Sequence, residues 1–230
     1  MNDNNNDKNS QEKPIKKKNR DLKIIIVGDS GTGKTSFVNR YILNKFAHNC
    51  QTTIASQLSS KIIEIDDVIY RLQFWDIAGQ DKSPGTTRVF CKDSNGIVLC
   101  CEVNNNKSRE NTKEWKESLN KTIKVDNIPM ILVENKCDLL GDNEEDYNKN
   151  IEDLKNFCED INAINFFRSS ALNGYGVEEA MNYLIKEIIK VSNYKEIYEE
   201  EEESMRQTIG ISEKPHYSIR GNKNGCYFVF

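Results

Sequence analysis

The sequence predicts an α/β fold: a six-stranded, mostly parallel sheet with helices on both faces. Three observations carry that prediction. Apolar runs of strand length alternate with stretches of helical spacing between residues 22 and 191. The runs LKIIIVG, GIVLCCEV and PMILVENK are apolar almost throughout, as strands buried on both faces are. Only one neighbouring pair, SKIIEI and VIYRLQFW, is joined tightly enough for an antiparallel hairpin. In sheets of this kind ligands bind beyond the carboxyl ends of the strands.

Each element follows in order. Residues 1–20 are rich in Asn, Lys and Asp and hold almost nothing apolar, so burial cannot offset the entropy of ordering them; they are expected to form a disordered arm. Its Lys16-Lys17-Lys18 and Arg20 read as a solvated charge run, with acidic lipid as the alternative contact. The run from Leu22 is the first strand, and 34–44 carries helical spacing through Phe37, Val38, Tyr41 and Ile42. The hairpin turns at Asp66-Asp67. GIVLCCEV, PMILVENK and INFFRSSA are three further strands, followed by helices expected over 110–121, 151–161 and 177–191. The domain therefore spans 21–192. After it, 193–230 carries an acidic block at 199–203 and no core-building periodicity, and is expected to be a flexible tail.

At 230 residues the chain is long enough for one medium domain with tails. Its net charge of −4 gives no overall field to draw in nucleic acid, so no nucleic-acid partner is expected. Seven cysteines, scattered without metal-ligand spacing, fit reduced thiols in an intracellular protein. No stretch approaches the roughly 18 apolar residues of a membrane span, and the N-terminus lacks a signal-peptide core; a cytoplasmic, cytosol-facing location is expected.

The chemistry begins at GDSGTGKT, residues 28–35, which fits G-x-x-x-x-G-K-[ST] between a strand and a helix. Its glycines let successive N–H groups converge on phosphates at the positive end of a helix. Lys34 is expected to reach the β- and γ-phosphates, and the Thr35 hydroxyl to ligate Mg²⁺. Such a cradle requires partners opposite, and WDIAGQD supplies one: Asp76 ends a strand, placed to hold a metal through water, and Gly79 lets an N–H approach an anion. After PMILVE come Asn135, Lys136 and Asp138 of NKCD, and after INFF come Ser169, Ser170 and Ala171. A carboxylate at Asp138 accepts from both N1–H and the exocyclic amine of guanine, a pair of donors adenine does not offer on that edge. Asn135 and Lys136 are expected to brace the loops, and the Ala171 N–H to meet the guanine carbonyl. NKCD alone is more often a surface turn than a base reader; three such signals in this order and register select guanine.

GDSGTGKT, WDIAGQ, NKCD and SSA, spread over 21–192, resemble the motif set of the Ras superfamily of small GTPases, and RLQFWDIAGQD is most similar to its Rab branch. That resemblance implies the P-loop small-GTPase fold, with five helices around six strands. It implies GTP or GDP as the bound nucleotide with Mg²⁺, contacted by Asp29, Ser30, Gly31, Thr32, Gly33, Lys34, Thr35, Ser36, Phe46, Thr53, Gly79, Asn135, Lys136, Asp138, Ser170, Ala171 and Leu172. Thr35, Thr53 and Asp76 stand at the family's metal positions, with Thr52 as the fallback for Thr53. Phe46 stands where the family stacks a ring on guanine, its other reading being an apolar loop anchor. Gly79 would sense the γ-phosphate, and Gln80 would be the catalytic residue that orients the attacking water.

The resemblance also implies function: a GTP/GDP switch in vesicle or membrane trafficking that hydrolyses GTP slowly. Its partners would be an exchange factor, a GTPase-activating protein, effectors and a GDI or escort protein, with the domain itself monomeric. Leu58, Trp75 and Phe90 fall where Rab proteins carry an exposed apolar triad that reports switch state. Ile77, TRVFCKD and KEWKESL resemble a Rab subgroup linked to lysosome-related organelles. Two departures stand out. Ala55-Ser56-Gln57-Leu58 alters the first switch, and Lys82-Ser83 followed by Pro84-Gly85 replaces an aromatic anchor in the second. The alternative reading is therefore a GTP-binding adaptor with negligible hydrolysis. A P-loop kinase is disfavoured because nothing else forms an acceptor site or lid. Cys226, fifth from the end and one place too far for a C-a-a-X box, is the candidate for prenylation and peripheral attachment to the cytosolic face of endomembranes. One lipid chain attaches only marginally, and residues 193–230, with five Lys or Arg against seven Asp or Glu, offer no polybasic patch to assist it.

Overall fold

The computed structural model describes residues 17–48, 52–80, 89–141, 148, 150–209, 219–221 and 227–229. Six strands form the main sheet: β1 (Lys18–Val27), β2 (Gln57–Ile65), β3 (Val68–Asp76), β4 (Gly96–Glu102), β5 (Met130–Asn135) and β6 (Asn165–Ser169). Their order is β2-β3-β1-β4-β5-β6. Within this sheet only β2 and β3 pair antiparallel; the other four pairings are parallel. The hairpin turns on Asp66 and Asp67, both at positive φ (49° and 61°), the conformation that matches the twist of the strands it joins.

Among the described residues four long helices cover the sheet: α1 (Lys34–Leu43), α2 (Asn106–Asn120), α3 (Ile151–Asp160) and α4 (Val177–Ile209). Alternation along β1 divides the core. Ile24 and Ile26 point to one face, against Phe37 and Val38 of α1 and Leu184 and Ile188 of α4. Ile25 and Val27 point to the other, against Trp115 and Leu119 of α2 and Leu154 and Phe157 of α3. Both faces are buried, which is why the central strands read as unbroken apolar runs.

Several boundaries differ from the sequence expectation. β1 begins at Lys18 rather than Leu22, because its polar first residues still pair with β3 from Lys18↔Val68 onward. Arg20 is fastened to α4 through Asn193 and Glu196, while Lys18 pairs with Glu196 and Lys17 with Glu64. These charges are therefore held within the domain. α2 starts four residues early: Asn105 is its cap, accepting from Ser108 N–H at 3.0 Å, a bond worth about 1 kcal/mol that the run of three asparagines conceals. α4 runs to Ile209 rather than ending near Val191, since neither Gly nor Pro interrupts 177–209 and Gly210 is the first breaker. Two unforeseen strands, β7 (Ile219–Gly221) and β8 (Tyr227–Val229), pair antiparallel around a segment rich in Asn and Gly. Residues 1–16 of the expected arm, Lys82-Ser83-Pro84-Gly85 and Cys226 lie outside the described residues.

Candidate nucleotide site

The carboxyl ends of β1, β3, β4, β5 and β6 share one edge of the sheet, and the loops leaving it enclose a cavity of about 430 Å³. Ser30, Gly31, Gly33, Lys34, Thr35 and Ser36 form its floor. Phe46, Thr52, Thr53 and Gly79 close one side, and Asn135, Lys136, Asp138, Ala171 and Leu172 the other. Ala47 and His48 also line it, with the His48 ring 5.2 Å from that of Phe46 in an edge-on contact. The sequence did not single out either residue.

At the floor, the chain leaves β1 through Gly28 at φ +147°, where a Cβ would lie 2.0 Å from the Cys100 carbonyl oxygen. That oxygen belongs to the β4 backbone and cannot retreat. Gly28→Ala is expected to destabilise the domain by about 3 kcal/mol or more, checked by the midpoint of urea unfolding. Gly33, at φ +87°, likewise leaves no room, since a Cβ there would sit 2.3 Å from Asn135 Nδ2. Lys34 is buried, and its Nζ donates to the carbonyls of Gly28 and Asp29, both at 2.8 Å. Burial pushes its pKa below the usual lysine value, against the opposing pull of Cys100, Asp76 and Asp29, so an anion placed beside it would be favoured.

Thr35, Thr53 and Asp76 converge. Thr35 Oγ1 lies 2.8 Å from Thr53 Oγ1 and donates to Asp76 Oδ2 at 2.5 Å. Of the two threonines weighed for the first switch, Thr53 is the one bonded to Thr35, although both line the cavity. Burial pushes the Asp76 carboxyl up, opposed by the Thr35 hydroxyl and by Lys34, and its Oδ1 is buried with no hydrogen-bond partner among the described residues. A carboxylate short of compensation beside two hydroxyls fits a small, hard, oxygen-seeking dication such as Mg²⁺. Gly79 backs onto the floor: the Cβ position it leaves empty is 2.3 Å from Ser30 N.

Asn135 holds the other end together. Its Nδ2 donates to Thr32 O at 2.9 Å, and its Oδ1 accepts from Ser169 Oγ at 3.2 Å and from Ala171 N–H at 3.3 Å. Lys136 adopts a left-handed conformation, and its Nζ pairs with Glu102 at 3.1 Å. Ser170 Oγ donates to Asp138 Oδ1, which aims the carboxylate.

Three of the expected nucleotide contacts, Asp29, Thr32 and Ser170, do not line the cavity, and neither do the expected metal ligand Asp76 and the expected catalytic residue Gln80. Thr32 is buried beneath it, and Ser170 acts through Asp138. Asp29 turns its carboxylate to α2, accepting from Asn111 Nδ2 at 2.5 Å and Trp115 Nε1 at 3.1 Å. Gln80 is exposed, next to Gly79. Sequence reasoning missed Arg40, whose Nε and Nη2 donate to the carbonyls of Ala171 (2.8 Å) and Leu172 (2.6 Å). It lies 131 positions from Ala171, and nothing local marks it. Glu102, Asn111 and Trp115 were missed for the same reason.

Residues 23–190 match the profile of the Ras family. The chain is 33% identical over 180 residues to Ras-related protein Rab7 of Cenchrus ciliaris, covering 77% of this chain and 86% of the relative. It is 35% identical over 173 residues to Ras-related protein Rab-32A of Dictyostelium discoideum, covering 73% and 78%. RABG3f of Arabidopsis thaliana is similar at 33% over 180 residues, covering 77% and 86%.

Proposed function

The chain belongs to the Ras family as a Rab-like small GTPase that acts in membrane trafficking, and from that premise we propose how its residues bind and turn over GTP. The observation that carries the proposal is a single cavity with two chemically distinct ends. One gathers Lys34, Thr35 and Thr53, with Asp76 bonded to Thr35 behind them; the other presents Asp138 and Ala171, whose N–H donates to Asn135 Oδ1. Lys34 and the amides of 30–35 take the phosphates, while Asp138 reads the guanine edge and Phe46 covers the ring. Thr35, Thr53 and Asp76 would hold Mg²⁺, which neutralises charge on the phosphate oxygens when bound.

Gln80 orients the attacking water, and the support for this is its place beside Gly79. Intrinsic hydrolysis is slow, and an activating protein supplies the missing cation, worth about 10³ to 10⁵ in rate. Thr53 and Gly79 line the same cavity, so loss of the γ-phosphate releases both switch segments. Leu58 and Trp75 are cross-strand partners, and the Phe90 ring lies 5.7 Å from that of Trp75. With Leu58 at 55% exposed, this triad is the surface on which effectors read the switch.

An exchange factor and a GDI or escort protein complete the cycle, and Cys226 is the candidate anchor to the cytosolic face of endomembranes. No described helix is long and apolar enough to cross a membrane. The Rab-32 relatives fit the subgroup resemblance of Ile77 and TRVFCKD.

The exposure of Gln80 favours one second reading, the hydrolysis-poor adaptor. Single-turnover GTP hydrolysis with an activating protein separates the two. Gln80→Leu is expected to slow the stimulated rate roughly a hundredfold or more. A rate that is negligible in the native chain and indifferent to this substitution would establish the adaptor.

A further inference from the structure

Behind the base-reading loops lies a buried charge cluster that forms no part of the cavity wall. Glu134, one residue before Asn135, and Arg168, one residue before Ser169, are 5% and 6% exposed. They are register partners on β5 and β6, and Arg168 Nε donates to Glu134 Oε2 at 2.9 Å. Arg109 of α2 approaches the other carboxylate oxygen, with Nη1 3.9 Å from Oε1.

Removing these charges from water is costly, and a packed apolar pair in the same place is often at least as stable. Net stability therefore gives no reason for charges here. What an ion pair does supply is a defined geometry, because the planar guanidinium donates to a carboxylate from fixed directions, here from Nε to Glu134 Oε2. The next residues in register are Asn135 and Ser169, and Asn135 Oδ1 accepts from both Ser169 Oγ and Ala171 N–H. Ser170 in turn holds Asp138. Any slip or twist between β5 and β6 thus reaches Asp138 and the Ala171 amide within four residues. Arg109 also shares α2 with Asn111 and Trp115, which hold Asp29 at the phosphate end. One helix supports both ends of the cavity.

We propose that the Glu134–Arg168 pair, steadied by Arg109, is a positioning device for guanine recognition. It fixes the spacing between Asp138 and the Ala171 amide, and so sets how long the nucleotide stays bound. This rests on the guanine-nucleotide reading above.

The test compares release of GDP with release of IDP, which lacks the exocyclic amine that Asp138 accepts from. Two variants of the full chain are used. The double variant Glu134→Leu with Arg168→Met replaces the pair by apolar side chains, and Arg168→Lys keeps the charge but loses the planar guanidinium. The double variant is expected to melt near the native temperature and to release GDP on the order of tenfold faster, with the IDP-to-GDP ratio of release rates falling toward one. Arg168→Lys is expected to fall between native and double variant. Native release rates overturn the proposal, and so does faster release of both nucleotides at an unchanged ratio, which marks a merely structural pair. Should the double variant fail to fold, Arg168→Lys decides by the same two criteria. A native chain that retains neither nucleotide overturns the underlying reading instead.

Discussion

Replacing Asp138 with Asn turns the base preference from guanine to xanthine. The carboxylate offers acceptors only, matched to the N1–H and amine donors of guanine; an amide puts its own NH₂ donor against one of them. The loop itself survives the change, because Ser170 Oγ can donate to an amide oxygen as it does to Asp138 Oδ1. GTP affinity is expected to fall by about two orders of magnitude or more, since a site built to pair a polar group is left with one unmatched. XTP, which carries a carbonyl where guanine has its amine, should gain. Competition of GTP and XTP against labelled GDP measures both, and an unchanged GTP affinity contradicts the assignment of Asp138.

Lys34→Met should have the second large effect, at the opposite end of the cavity. Methionine fills much the same stem volume in a buried position, so the fold is retained, but the only buried ammonium at the phosphate floor is lost among the described residues. Affinity for both GDP and GTP is expected to drop roughly a hundredfold or more, with the guanine-over-inosine ratio unchanged. The two substitutions are thereby told apart: one alters which base is bound, the other how tightly any nucleotide is bound. Calorimetry with GDP and IDP on each variant checks this, and a Lys34→Met chain that binds GDP as tightly as the native one contradicts the phosphate assignment.

The sheet was legible because its signals are local. A strand buried on both faces must be apolar throughout, as in LKIIIVG, and a two-residue turn between alternating runs leaves few pairings. The loops of the site were legible for a related reason, since GDSGTGKT and NKCD are contiguous segments whose backbone does much of the chemistry. What stayed hidden depends on contacts between distant segments. Arg40 holds the Ala171 carbonyl from a helix 131 positions away, and Asp29 spends its carboxylate on Trp115, 86 positions on. The extra turns of α4 carry no apolar stripe to announce them, only the lack of a breaker before Gly210. Nothing local links Glu134 with Arg168, which become neighbours only through the parallel pairing of β5 and β6.

A triphosphate lying along the carboxyl edge of the sheet, with guanine at Asp138, is the claim on which these expectations depend. It is tested most directly by denaturing the freshly purified full chain and identifying the nucleotide released. The account predicts close to one GDP or GTP per chain, lost on prolonged chelation of divalent metal and restored by GTP with Mg²⁺. An adenine nucleotide in its place, or a folded chain that carries none and takes up none, would contradict it.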